Sequence, residues 1–190
     1  MHYTIQLCFA PQSLAMLTSA FFALDSPVTR GGDRPHLSLI VYNIPEPSLQ
    51  SPSLGQDEML DHIRDVTRLL DSVVAQTLAF PVTLSGIGQF PTDEHVVYLA
   101  PTVTEKLLGF HRRFIAQLQP LLKPPVTANA YYLPGDWVPH VAVSLASQAD
   151  KERILPALAR QPVFGEHQIS AIEFINFPHG RLLHRAELQP

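Results

Sequence analysis

Between His2 and Phe9 the side chains alternate, with Tyr3, Ile5, Leu7 and Phe9 set against His2, Thr4, Gln6 and Cys8. A period of two sends neighbours to opposite faces of a strand, and predicts one here. Pro11, Gln12 and Ser13 open a helix to about Leu24, since proline's missing N–H has no intrahelical partner to lose in a first turn. Asp25–Pro35, with Ser26-Pro27 and Gly31-Gly32, reads as a loop. His36–Ile44 reads as a strand halted by Pro45 and Pro47, and Ser48–Gly55 as a linker. From Gln56 to about Thr77, Met59, Leu60, Ile63, Val66, Leu69, Leu70, Val73 and Val74 recur at helical spacing, with Asp57, Glu58 and Asp61 favouring the positive end of the helix dipole. Strands are predicted over Phe80–Phe90 and His95–Ala100, and a helix from about Thr104 to Leu118. Pro120–Asp136 is proline-rich and irregular. A strand over Pro139–Ala146, a short helix over Asp150–Arg160 and a hairpin of Val163–Phe177 with Arg181–Gln189 close the chain.

The two halves share one plan: strand, helix, then a strand that begins Pro-His, then another helix. Mixed helices and mainly antiparallel strands make the expected class α+β, with two pseudo-symmetric lobes about a central cleft in a single domain spanning 1–190.

Composition narrows the function classes. The 190 residues are 46% hydrophobic and 16% charged, which excludes a disordered chain. A net charge of −4 argues against a protein that coats long nucleic acid, because neutralising many phosphates needs a basic face. One nucleotide or one RNA end needs only a few local donors and stays open. Cys8 is the single cysteine, so neither an internal disulfide nor a cysteine-based zinc cluster can form, and a reducing, cytoplasmic setting is expected. No stretch approaches the roughly 18–20 apolar residues of a membrane helix. A monomer is expected.

Two segments match each other: Pro35-His36-Leu37-Ser38-Leu39-Ile40 and Pro139-His140-Val141-Ala142-Val143-Ser144. On a strand, His36 and Ser38 project together, as do His140, Ala142 and Ser144, while the intervening apolar residues face packing. If the halves pack about an approximate two-fold axis, both His faces meet across one cleft. Phosphodiester cleavage suits such a cleft. One imidazole takes a proton from attacking water while the other protonates the departing oxygen, and histidine does both near neutral pH. A hydroxyl two residues on can hydrogen-bond a phosphate oxygen as it gathers charge.

At these residues the chain resembles the 2H phosphoesterase superfamily, in its 2′-5′ RNA ligase and RNA 2′,3′-cyclic phosphodiesterase branch, which carries one His-x-Ser/Thr-x motif per lobe. The opening strand and helix, the Phe80–Pro91 segment and the Trp137-Val-Pro-His140 entry fit the same pattern. The resemblance implies His36 and His140 as the catalytic pair, Ser38 as a phosphate ligand, a 2′-phosphate product, and reverse ligation of RNA ends as an in vitro activity. It implies no metal and no cofactor. Ala142 departs from the pattern, standing where the family has a hydroxyl. Ser144 is the nearby candidate to supply one, and Ala142 also motivates an alternative, a 2H-like protein that binds a nucleotide or partner without turning it over.

Tyr132 and Trp137 precede the second motif, where an aromatic ring can stack on a base. Arg30 and Arg34 precede the first, where a guanidinium can attract phosphate. The other seven histidines show no metal-ligand spacing, and no P-loop or Gly-x-Ser-x-Gly elbow occurs.

Overall fold

A computed structural model describes residues 2–25, 34–45, 55–90, 96–145, 148–177 and 180–190; the side chains of 144, 145 and 148–151 are not among those described. The first alternating segment forms β1, His2–Phe9, in the middle of a single antiparallel sheet. Helix α1, Pro11–Ala23, starts at its proline. Main-chain bonding of Ala10 N–H to Gln168 O, and of Gln168 N–H to Ser13 Oγ, holds that start against a neighbouring strand. The first motif lies on β2, His36–Asn43. Helix α2, Gln56–Val74, begins where the Glu58 carboxylate accepts from the Gly55 N–H. It stops three residues short of the expected Thr77, because Gln76 and Thr77 bond only three residues back and the Thr77 hydroxyl donates to Val73 O.

Strands β3, Phe80–Gln89, and β4, Val96–Pro101, lead to α3, Glu105–Leu118, capped by the Thr104 hydroxyl accepting from Leu107 N–H. The proline-rich stretch is more ordered than its composition predicts. It contains two short 3₁₀ turns, Gln119–Leu121 and Ala130–Tyr132, and a two-residue strand β5, Thr127–Ala128, which pairs with the edge of β2. The second motif enters β6, Val141–Leu145, two residues later than expected, Pro139 having no N–H to give a ladder. Helix α4, Gln148–Leu158, begins two residues early, and β7, Gly165–Phe177, and β8, Arg181–Glu187, form the closing pair.

The fold is α+β, with four helices among the described residues on one eight-stranded sheet ordered β5-β2-β1-β7-β3-β4-β6, with β8 beside β7. The long β7 joins the two halves. Its residues 165–169 pair with β3, and its residues 169–177 with β1. The sheet curls so far that β2 and β6, near its opposite ends, touch. The core lies between sheet and helices. Tyr3, Tyr42 and Phe174 stack at 5.5–6.4 Å between centroids, and the Tyr42 hydroxyl meets His62 Nε2 of α2 at 3.0 Å. Among the described residues no helix is long and apolar enough to cross a membrane. Residues 26–33 of the expected loop Asp25–Pro35, Arg30 among them, and residues 48–54 of the expected linker Ser48–Gly55 lie outside the described residues.

Candidate active site

The motif strands share two backbone features. Each histidine bonds through Nδ1 to the carbonyl two residues before it: His36 to Arg34 O and His140 to Val138 O, both at 2.8 Å. A carbonyl only accepts, so each Nδ1 carries the proton, and in the neutral ring Nε2 is the nitrogen with the lone pair. Each strand also bulges at the third residue after its histidine. In β2 the register passes from Gln6–Ser38 to Ile5–Ile40, leaving Leu39 extra, and in β6 from Tyr98–Ala142 to Val97–Ser144, leaving Val143 extra. Bulges re-aim side chains at a strand end, and these two do so at matching positions.

The bulge in β6 breaks the simple alternation that groups Ser144 with His140 and Ala142. Ser144 pairs with Val97, which is fully buried, whereas Ala142 pairs with Tyr98. The Ser144 side chain is outside the described residues.

Cross-strand pairing then defines what lies beside each motif. Ser38 sits opposite Gln6, Gln6 opposite Glu173, and Glu173 opposite Arg185. The Gln6 amide and the Arg185 guanidinium donate to Glu173 at 3.1 and 2.6 Å, and Arg185 also reaches Glu187 at 2.6 Å. Burial pushes the Glu173 carboxyl up, but hydrogen bonds from Arg185, Cys8 and Gln6 and the guanidinium charge outweigh it and hold it below its usual value. Cys8, opposite His36, is buried, and its thiol is pushed far up by that burial and by the Glu173 charge.

His140 has aromatic surroundings instead. Phe90 meets it edge-on at 4.9 Å, Tyr98 lies at 5.5 Å and Tyr132 at 6.3 Å. Gly88 pairs with Tyr98, and a Cβ there would overlap the Tyr98 ring, so the glycine is what lets that ring lie across β3. Burial lowers the His140 pKa from its ordinary value; the Val138 carbonyl works against this, and the His36 charge adds to the lowering. The strands that carry the two motif histidines, β2 and β6, lie against one another.

Ser38 is 7% exposed; burial raises the Tyr132 phenol pKa, and the nearby Ser38 side chain works against this, with burial the stronger. Tyr132 therefore neighbours both Ser38 and His140. Arg34 is exposed and serves His36 through its carbonyl. Trp137 does not fit the expected role of an open stacking platform. It is 7% exposed, one face of its ring lies on His111 at 3.8 Å and 8°, and its Nε1–H donates to Ser38 O at 3.1 Å. It forms the wall behind the first motif.

Phe90, Tyr98, Gly88 and His111 escape a motif search. A glycine directly opposite a tyrosine is the legible trace of the first three, once the β3–β4 register is known. The remaining described histidines have structural partners or lie at the surface: His62 with Tyr42, His167 with Val163 O at 2.9 Å, His184 with Asp71 at 2.7 Å, and exposed His2. His95 and His179 lie outside the described residues. Among the described residues no cluster of three His, Cys, Asp or Glu side chains has metal-binding geometry.

The model of the 2′-5′ RNA ligase superfamily matches residues 3–181, nearly the whole chain and both motifs. The chain belongs to that superfamily. As a 2H phosphoesterase it is an enzyme in general class, and solved relatives share its fold at low identity. E. coli LigT in apo form aligns over 100% of this chain and 98% of its own, with 15% identity and a TM-score of 0.54. LigT complexed with 3′-AMP gives 14% and 0.56 over the same shares, and TT0787 of Thermus thermophilus gives 20% and 0.51. No curated protein matches by sequence.

Proposed function

We propose that the chain works as a single bilobal unit spanning residues 1–190 that hydrolyses 2′,3′-cyclic or 2′-5′ phosphodiester bonds of RNA ends or small nucleotides. Two histidines act as general acid and base, and no step calls for a metal. The observation that carries this reading is the matched pair of Nδ1–H bonds to the carbonyls of Arg34 and Val138, which supports Nε2 as the nitrogen through which each ring exchanges a proton. The complexes of LigT with 3′-AMP and with NADP+ support a small nucleotide as the ligand class.

His140 takes the role of base. Its aromatic surroundings and the His36 charge favour the neutral ring, which is the form that accepts a proton. Its Nε2 removes a proton from water as the water oxygen bonds to phosphorus. The bond from phosphorus to the ribose 3′ oxygen breaks, and that oxygen takes a proton from His36 Nε2. The product is a 2′-phosphate. His140 is left protonated and His36 neutral, and exchange with solvent restores both. Ser38, buried beside Tyr132, supplies a hydroxyl to a non-bridging phosphate oxygen, and Tyr132 offers its ring edge to the nucleoside. Ser144 and the exposed Arg34 are the secondary candidates for phosphate contact. The expected setting is cytoplasmic and the expected state a monomer.

Incubation with 2′,3′-cyclic mononucleotides in EDTA tests the reading, with phosphomonoester release as the signal. Turnover that survives the chelator and vanishes in both His36→Ala and His140→Ala agrees with it. Ala142 favours a second reading, a protein that binds nucleotide without turnover, because one of two expected hydroxyls is replaced by a methyl group. Tight 2′-AMP binding with no product from any cyclic or 2′-5′ substrate would select that reading.

A further inference from the structure

We propose that His111 is a positioning residue that sets the Ser38 side of the site from the opposite half of the chain. This rests on the reading above, in that Ser38 and Tyr132 are taken to contact substrate. His111 lies on α3, where the other buried positions, Leu107, Phe110, Phe114, Ile115 and Leu118, are all apolar. A polar ring that is 1% exposed has to be satisfied there, and its partners belong to the site.

His111 Nε2–H donates to Leu39 O at 3.1 Å. The same ring lies flat on Trp137, whose indole N–H donates to Ser38 O at 3.1 Å. Two consecutive carbonyls of the first motif, those of Ser38 and Leu39, thus accept from two stacked rings supplied by residues after position 100. Consecutive carbonyls of a regular strand point to opposite edges, and the bulge at Leu39 is where that rule breaks. The clamp holds the bulge. It fixes the backbone that carries the Ser38 hydroxyl.

Phenylalanine keeps a flat ring on Trp137 and deletes the imidazole's hydrogen bond to Leu39 O. Glutamine keeps a donor. In the full chain, His111→Phe is expected to lower kcat for a 2′,3′-cyclic mononucleotide between about tenfold and 10²-fold, the scale for misplacement by about an ångström. KM should change less than kcat, and emission from Trp137, the only tryptophan, should shift. His111→Gln should recover most of the rate. A purely structural residue would lower the melting temperature of both variants and leave kcat of the folded protein within about twofold of wild type, and that result would overturn the proposal. If the wild-type protein turns over nothing, the proposed hydrolysis fails separately, and 2′-AMP affinity decides the positioning role. Weakening in His111→Phe with recovery in His111→Gln supports it, and equal affinities overturn it. Wild-type protein that neither turns over nor binds nucleotide overturns both. Should His111→Phe not fold, Trp137→Phe replaces it under the same criteria, deleting the N–H to Ser38 while keeping a ring on His111.

Discussion

Beside His36 the file of residues across the sheet is polar: Ser38, Gln6, Glu173 and Arg185, joined from Gln6 onward by hydrogen bonds. Beside His140 the corresponding file is Ala142, Tyr98 and Gly88, where the glycine leaves room for the Tyr98 ring that packs near His140. The main chain treats the two histidines alike, with the same i−2 carbonyl and the same bulge three residues on. Duplicated backbone geometry therefore orients both rings, and the neighbouring strands make their surroundings differ. An acid and a base need that division. Two identical rings in identical settings would compete for one proton, whereas an apolar box around one favours its neutral form.

Removing either ring is the largest disturbance this comparison predicts. His36→Ala and His140→Ala should each cost about 10²–10⁴-fold in kcat/KM, the usual yield of one positioned proton transfer. Since the two act in one reaction, the double variant should fall well short of the product of the two losses, as steady-state kinetics on a cyclic nucleotide will read. Ser38→Ala should cost about 10²–10³-fold in kcat as the one hydroxyl at the second position of either motif.

Gly88→Ala sharpens the aromatic half of the contrast. The new methyl group displaces the Tyr98 ring, and overpacking of this kind costs about 1–3 kcal/mol, readable in denaturant unfolding. Ala142→Thr puts a hydroxyl where the first motif has one and should raise kcat by about threefold to tenfold, well under the full value of an oxyanion donor because Tyr98 packs alongside. An unchanged rate there would mean that another donor already fills the role.

The smallest effect concerns pH. Burial holds the His140 pKa below its ordinary value of about 6.5, so the acid limb of kcat/KM should fall below that pH. Phe90→Ser hydrates the ring and should move the limb up toward it. The same sign governs stability. His62, His111 and His140 all have pKa values lowered chiefly by burial, so the unfolded chain takes up protons first as pH drops. Their contribution is complete above about 6.5 and is lost as pH falls through the lowered folded values, so the melting temperature should decline over that window.

Periodicity is enough to locate β1 and both motif strands, through Tyr3, Ile5 and Leu7, through Leu37 and Leu39, and through Val141 and Val143. It also locates α2 and α3, whose apolar stripes are long. It does not encode where a strand adds a residue. Counting in twos groups Ser144 with His140, and the bulge at Val143 ends that count. Trp137 illustrates a second blind spot. A tryptophan beside a motif reads equally as a base platform or as wall, and only the His111 ring and the Ser38 carbonyl decide between them. β5 is two residues in a proline-rich stretch, too short for any pattern, and it exists because the edge of β2 offers partners. The aromatic box around His140 depends on the β3–β4 register, a long-range fact invisible in either strand alone.

A crystal structure with 2′-AMP or inorganic phosphate bound tests the central claim most directly. One phosphorus centre is expected, with oxygens within hydrogen-bond reach, about 3 Å, of both His36 Nε2 and His140 Nε2. An anion held by only one of the rings, or seated away from both, would contradict it.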